Sequence, residues 1–390
     1  MIGRRQLTVA APISPAALVR AAYESFHSRT ELEARAAKLI GQAFNASTVL
    51  FTDSGTSALV LALRLAKARF TGDVFTVGFP GYACVDLAAA ARFAGVRVRL
   101  YDIDPGSLSP DLESVEKMLR RGVNAVVVSH LFGYGADVDQ VRSLAAEHGI
   151  PVIEDAAQGA GGTIRDRRLG SLGDLSVLSF GRGKGLCAGG GGALLTSANE
   201  WAARLESLAL SPSGRGWPNL LKTAVQWAIG RPSIYALPAA IPWLHLGEMV
   251  YHPATEPTAM PAASDSLLVS ALAMERADLE NRRRVAAALA ETAQNARDLR
   301  TIRPISGMLP GYLRFPVRDL TGRRALRRDL GVTRPYPTPV GEQVEMGPIL
   351  ASGEPILSGA SDLARSLHTL PTHRLVTPSD ISAIRDWLMA

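Results

Sequence analysis

Between residues 49 and 196 the chain alternates short apolar runs with longer helical ones, and this restricts its fold more than any other feature. Val49-Leu50-Phe51 and residues 74–77, 96–101, 124–129, 151–154, 175–180 and 192–196 read as strands. Stretches 58–68, 85–93, 112–120 and 138–148 read as helices between them. Short apolar strands joined by helices build a mostly parallel sheet covered on both faces, so the expected class is α/β. Ligands of such sheets sit beyond the carboxyl ends of the strands. Asp53, His130, Asp155 and Ser179 all fall at such ends.

With 390 residues, 47% of them hydrophobic, the chain can fill two or more domains with a large core. The net charge of +6 is carried mostly by scattered Arg residues. That suits solvated helix faces or a preference for anionic substrates. A nucleic-acid protein would show a denser basic stripe with interleaved aromatics, so none is expected as a partner. Two cysteines, Cys84 and Cys187, form no disulfide framework and no metal-ligand spacing. No signal-like apolar segment opens the chain, and no run of about 20 apolar residues goes uninterrupted. The expectation is a cytoplasmic protein without membrane contact.

Lys184 lies in Ser179-Phe180-Gly181-Arg182-Gly183-Lys184-Gly185-Leu186, shortly before Gly189 to Gly192. A phosphate loop would need Ser or Thr after the lysine, and a dinucleotide fingerprint would lead into a helix; neither holds here. Upstream, Val152-Ile153-Glu154-Asp155-Ala156-Ala157-Gln158 is a strand ending in a carboxylate. A lysine for an imine, an aspartate for a pyridine nitrogen and hydroxyls for a phosphate are what pyridoxal phosphate requires. Ser54-Gly55-Thr56-Ser57, at a strand-to-helix turn, offers backbone N–H groups and hydroxyls to that phosphate. Each piece alone has an ordinary reading: a solvated loop lysine, a helix-capping Asp155, a surface Gln158, a capping-box fragment. Their joint occurrence in this order favours the cofactor site.

With those segments set out, the chain resembles the DegT/DnrJ/StrS family of pyridoxal-phosphate-dependent aminotransferases. Ser54-Gly55-Thr56-Ser57-Ala58-Leu59, Asp102-Ile103-Asp104 with Leu108, His130-Leu131-Phe132-Gly133, Glu154-Asp155-Ala156-Ala157-Gln158, Ser179-Phe180 with Lys184, and Leu370-Pro371-Thr372-His373 carry the likeness. It implies a fold-type I transferase with a mostly parallel seven-stranded sheet between helices and a smaller C-terminal α+β domain. It implies Lys184 as the catalytic imine lysine and Asp155 as the pyridine-nitrogen partner. Gln158 would contact the ring face or its hydroxyl, and Gly55, Thr56, Ser57 and Ser179 would form the phosphate site. Sugar dehydratases of the family replace this lysine by histidine, so Lys184 favours transamination. Many members stack an aromatic ring on the cofactor where Cys84 stands here. Either Tyr82 stacks from a shifted loop, or the ring rests on a smaller residue. Gly190 stands where relatives often carry an acid, and residues 256–263 lack the Asn and Arg of the usual partner-subunit segment.

The expected division is a large cofactor-binding domain over 1–262 and a small domain over 263–390, with a helix from about residue 264 to 299. The smaller domain should close on an element over 361–367, the stretch 370–373 and a helix over 379–388, where Ser379 and Asp380 are candidate caps. Residues 215–251 form an apolar arm broken by Pro232, Pro238 and Pro242. Its aromatics, Trp217, Trp227, Tyr235, Trp243 and Tyr251, suit a dimer interface, a substrate lid or a membrane-facing element. The expected activity moves an amino group from glutamate or glutamine to a keto acceptor, such as a keto-sugar nucleotide, in a homodimer. Another pyridoxal-phosphate reaction, or a non-catalytic cofactor-binding regulator, stands as the alternative.

Overall fold

The computed structural model describes residues 5–10, 12–26, 29–236 and 250–390. The apolar runs become β1 (Thr48–Thr52), β2 (Thr76–Pro80), β3 (Arg97–Tyr101), β4 (Ala125–Ser129), β5 (Val152–Asp155), β8 (Leu175–Ser179) and β9 (Gly192–Thr196). They form one seven-stranded sheet in the order β1-β9-β8-β5-β4-β2-β3. Only β9 runs antiparallel to its neighbours. Register sets Ser129 beside Asp155 and Asp155 beside Val177, so β4 and β5 end at one level and β8 runs on past it to Ser179. The strands are apolar on both faces because both are covered: Val126, Val127, Val128 and Ile153 have no accessible surface.

Two helices that the strand pattern does not reveal precede the sheet, α1 (Pro15–Glu24) and α2 (Arg29–Phe44). The expected helices follow as α3 (Gly55–Lys67), α4 (Asp86–Ala94), α5 (Leu112–Arg120) and α6 (Val138–Ala146). Next come α7 (Asn199–Glu206) and α8 (Trp217–Ile229). One core cluster joins the buried faces of α3 to α6 to the sheet. A second joins α2, β1, β8 and the start of the long helix Ala262–Asn295.

That helix then enters a third cluster, with Val285, Leu289 and Ala293 packed on Phe315, Ile384 and Trp387. A three-stranded antiparallel sheet of Leu299–Thr301, Phe315–Asp319 and Leu367–Leu370 lies there. Tyr336, Val340, Met346 and Leu357 instead rejoin the first cluster beside the large sheet. The last helix runs Pro378–Met389, and its cap is Thr377. Asp380 completes a capping box with Thr377, while Ser379 lies inside the helix, which corrects the expectation of a Ser379 cap.

The first described segment threads between these units. Gln6 Nε2 donates to Leu375 O at 3.0 Å and to Asp380 Oδ2 at 2.9 Å. Arg314 donates to Thr8 O at 3.0 Å, and the Gln6 amide donates to Asp329 O at 2.7 Å. Of the arm, α8 is helical, Tyr235 is buried and Trp217 is 42% exposed. Trp243 lies outside the described residues. No described helix is long and apolar enough to cross a membrane.

Candidate active site

β1 turns through Asp53 and Ser54 into α3. Ser54 caps the helix: its Oγ accepts the Ser57 N–H at 3.1 Å and lies 2.9 Å from Ser57 Oγ. The amides of Gly55 and Thr56 belong to the first turn, where no intrahelical acceptor exists, and a helix N-terminus attracts anions. Position 55 has to be glycine, because a Cβ there would lie 2.6 Å from Ser179 Cβ. That contact seats the start of α3 against the end of β8.

Gly55, Thr56, Asp155, Gln158, Ser179 and Lys184 line one cleft above the strand ends. Leu59, Cys84, Asp86, Leu87, Ala157 and Val177 complete its walls. Asp155 Oδ2 accepts from Ser129 Oγ at 3.1 Å, and Oδ1 accepts the Ala157 N–H at 3.1 Å. Enclosure by protein raises the Asp155 pKa, against the pull of the Ala157 amide and the nearby Lys184 charge. Gln158 is held at both ends of its amide: Oε1 accepts the Phe132 N–H at 3.2 Å, and Nε2 donates to Tyr336 Oη at 2.5 Å. Tyr336 in turn stacks on Phe132, ring centroids 5.7 Å apart.

Two of the expected residues stand outside this lining. Ser57 is buried and serves Ser54. Tyr82 has no accessible surface, and its ring packs edge-on against Tyr336 at 5.2 Å. Its hydroxyl has no hydrogen-bond partner among the described residues. The structure therefore brings Cys84, not Tyr82, to the cleft. Burial and Asp86 push the Cys84 thiol up to about 12, against the effect of Lys184.

Beneath the cleft, Glu154 and His130 form a buried pair, Nε2 to Oε1 at 2.7 Å. His130 Nδ1 accepts the Ala136 N–H at 3.0 Å, so the ring proton sits on Nε2 and points at Glu154. Glu154 also accepts the amides of Gly170, Leu172 and Gly173 and the Ser176 hydroxyl. Burial alone would raise its pKa, but His130 and these amides outweigh it and hold the carboxyl low. This pair locks β4 and β5 below Asp155 and does not face the cleft. Sequence reasoning missed Tyr336. Its signal was an aromatic held between Pro335 and Pro337, with nothing in the spacing to link it to Gln158.

On its other side Lys184 borders a small cavity with Val9, Gly183, Asp278, Arg282 and His373. His373 Nε2 donates to Leu7 O at 3.0 Å, and its Nδ1 is buried without a partner among the described residues. Gly183 has φ +80°, and a Cβ there would meet Val9 Cγ2 at 2.7 Å, so the lysine loop and the N-terminal segment touch directly.

Residues 17–226 match the DegT/DnrJ/EryC1/StrS aminotransferase family. The chain belongs to this family. Among its curated members, the chain is similar to an L-glutamine:2-deoxy-scyllo-inosose aminotransferase of Streptoalloteichus tenebrarius, 39% identical over 168 residues, 43% of this chain and 38% of that protein. It is also similar to a GDP-perosamine synthase of Caulobacter vibrioides, 33% identical over 186 residues, 46% of this chain and 49% of that one. The matched segments thus span under half the length of these relatives. Solved structures extend the likeness in fold over nearly the whole chain. The aminotransferase TlmJ from Streptoalloteichus hindustanus superposes with a TM-score of 0.76 at 24% identity, covering 99% of this chain and 98% of that one. Helicobacter pylori PseC gives 0.77 at 15% identity, with 98% of each chain covered. The fold is thus the one these solved structures share, an α/β architecture built on a mostly parallel central sheet.

Proposed function

We propose that the protein is a pyridoxal-phosphate-dependent aminotransferase. It moves an amino group from glutamate or glutamine to a keto acceptor, a keto-sugar nucleotide or a related cyclic ketone, and works as a homodimer. The observation that carries this reading is the convergence of Lys184, Asp155, Gln158, Ser179, Thr56 and Gly55 on one cleft. Family membership supports the chemistry. The relatives' names, which include a glutamine-dependent inosose aminotransferase and a GDP-perosamine synthase, support the donor and acceptor classes.

The residues present fit the cofactor. Asp155 is an enclosed carboxylate whose only hydrogen-bond donors among the described residues are a hydroxyl and an amide. A protonated ring nitrogen would supply the missing cation. The first turn of α3, with Thr56 and Ser179, offers donors to a phosphate. Small side chains at Cys84 and Ala157 leave width for a flat ring.

When bound, the cofactor supplies an electron sink for charge developing at the substrate carbon. Asp155 keeps the positive charge on the ring nitrogen. Gln158, fixed by Tyr336 and the Phe132 amide, sets the tilt of what it touches. Lys184 Nζ would hold the cofactor, and as a free amine it would move the proton at the donor's α-carbon as general base and then acid.

Borohydride reduction of the purified yellow protein, followed by peptide mapping, should find the cofactor on Lys184. Glutamate or glutamine with a panel of keto-sugar nucleotides and cyclic ketones should then release 2-oxoglutarate or its amide. An adduct on a different lysine, or none, would overturn the reading.

A further inference from the structure

A second pocket opens beside the cavity next to Lys184. Arg182, two residues before the lysine, lines it together with Arg231 and Arg374. Its volume is about 340 Å³, within the usual range of small-molecule sites. Val9, Ala10 and Arg374 line both this pocket and the smaller cavity that reaches Lys184, so the two adjoin.

Among the described residues the lining of the pocket carries three cations and no carboxylate. Among the described residues none of the three arginines has an ion-pair partner. Asp278, the acid acting on Arg374, belongs to the neighbouring cavity. Arg231 is steadied over the Trp227 ring at 4.4 Å, which orders the cation without neutralising it. Three guanidinium groups around one concave space repel each other in the absence of an anion, and their planar forks match phosphate oxygens. Trp227, Ile13 and Leu7 give the wall an apolar side, and Ser14 and Gln226 add neutral polar groups.

We propose that this pocket is the anion subsite for the amino acceptor: Arg182, Arg231 and Arg374 take a phosphate or diphosphate carried by the ketone, and Trp227, Ile13 and Leu7 cover the apolar group beside it. The subsite rests on the aminotransferase reading of the Lys184 cleft. It assigns a substrate role to the C-terminal end of α8 and to the N-terminal segment.

The test is calorimetric titration of the cofactor-saturated protein with three probes: inorganic pyrophosphate, a nucleoside diphosphate and a prenyl diphosphate. Pyrophosphate should bind, and Arg231→Gln and Arg374→Gln should each weaken it about tenfold, equivalent to ~1.4 kcal/mol. Arg231→Lys should recover part of the loss. Tighter binding of the nucleoside diphosphate than of pyrophosphate assigns the apolar wall to a base; tighter binding of the prenyl compound assigns it to a lipid chain. Equal binding of all three would overturn the apolar half of the proposal. Pyrophosphate that fails to bind, or binds the variants as it does the parent, would overturn the whole. The cofactor absorbance and its response to glutamate alone need no acceptor, so a failure of the aminotransferase reading is seen separately.

Discussion

Asp155 is costly to the protein until a cation meets it. Its folded pKa is raised by burial, so the folded state holds the proton more tightly than the unfolded chain does. The sign follows from linkage: cofactor-free protein loses stability as pH rises through that raised value. Asp155→Asn should therefore raise the melting temperature of the cofactor-free protein at neutral pH, with the difference fading below the ordinary carboxyl value of 3.8. In the loaded protein the same change should leave the cofactor bound but slow proton transfer by orders of magnitude, because a neutral ring nitrogen is a poorer electron sink. Near-normal single-turnover rates would make the carboxylate structural. Lys184, Asp155, Gln158 and Ser179 were legible because each sits in a short contiguous segment next to a strand end. Tyr336 was not, since its contact with Gln158 spans 178 positions and depends on tertiary packing alone. Cys84 was legible as a position, but its place in the cleft ahead of Tyr82 was decided by the aromatic cluster that absorbs Tyr82.

Strands of the central sheet could be read because parallel strands covered on both faces are continuously apolar. Short pieces escaped for the opposite reason. Thr163–Ile164 pairs with Arg167–Arg168 and with Met308–Leu309, and two residues carry no period. The last helix shows how capping resolves a boundary. Thr377 Oγ1 accepts the Asp380 N–H, and Asp380 Oδ2 accepts the Thr377 N–H at 2.8 Å. Asp380 Oδ2 also accepts from Gln6 at 2.9 Å, so this cap is part of the tie to the N-terminal segment. Thr377→Ala should cost about 1 kcal/mol, read as a lower urea midpoint at unchanged slope. A changed slope would mean that the cap holds more than its own helix.

At the scale of the whole molecule, α1 and α8 pack together and leave apolar side chains outward. Val19 is 71% exposed, Leu221 68% and Val225 49%. Such a face suits the contact surface of the proposed homodimer. Leu221→Asp with Val225→Asp should shift a homodimer toward monomer in sedimentation at micromolar concentration while the cofactor absorbance stays. A variant that stays dimeric but loses the acceptor half-reaction would assign the face to substrate. The tie between chain start and chain end has a pH signature. Burial lowers the His373 pKa from 6.5 to about 4, so its neutral ring contributes stability above 6.5 that is lost as pH falls toward 4. His373→Gln keeps a donor for Leu7 O and should flatten stability over that interval, measured by denaturant midpoints.

The tie also sets an order of events during synthesis. Residues 6–8 are held by Arg314, Asp329, His373, Leu375 and Asp380, all of them added more than three hundred positions later in the sequence. Until then residues 6–8 lack these partners, although Arg5 can already meet Pro232. The cavity on the far side of Lys184, walled by Val9, Ala10, His373 and Arg374, therefore cannot be complete before residues 373 and 374 have been made, whereas every residue that lines the cleft itself precedes residue 185.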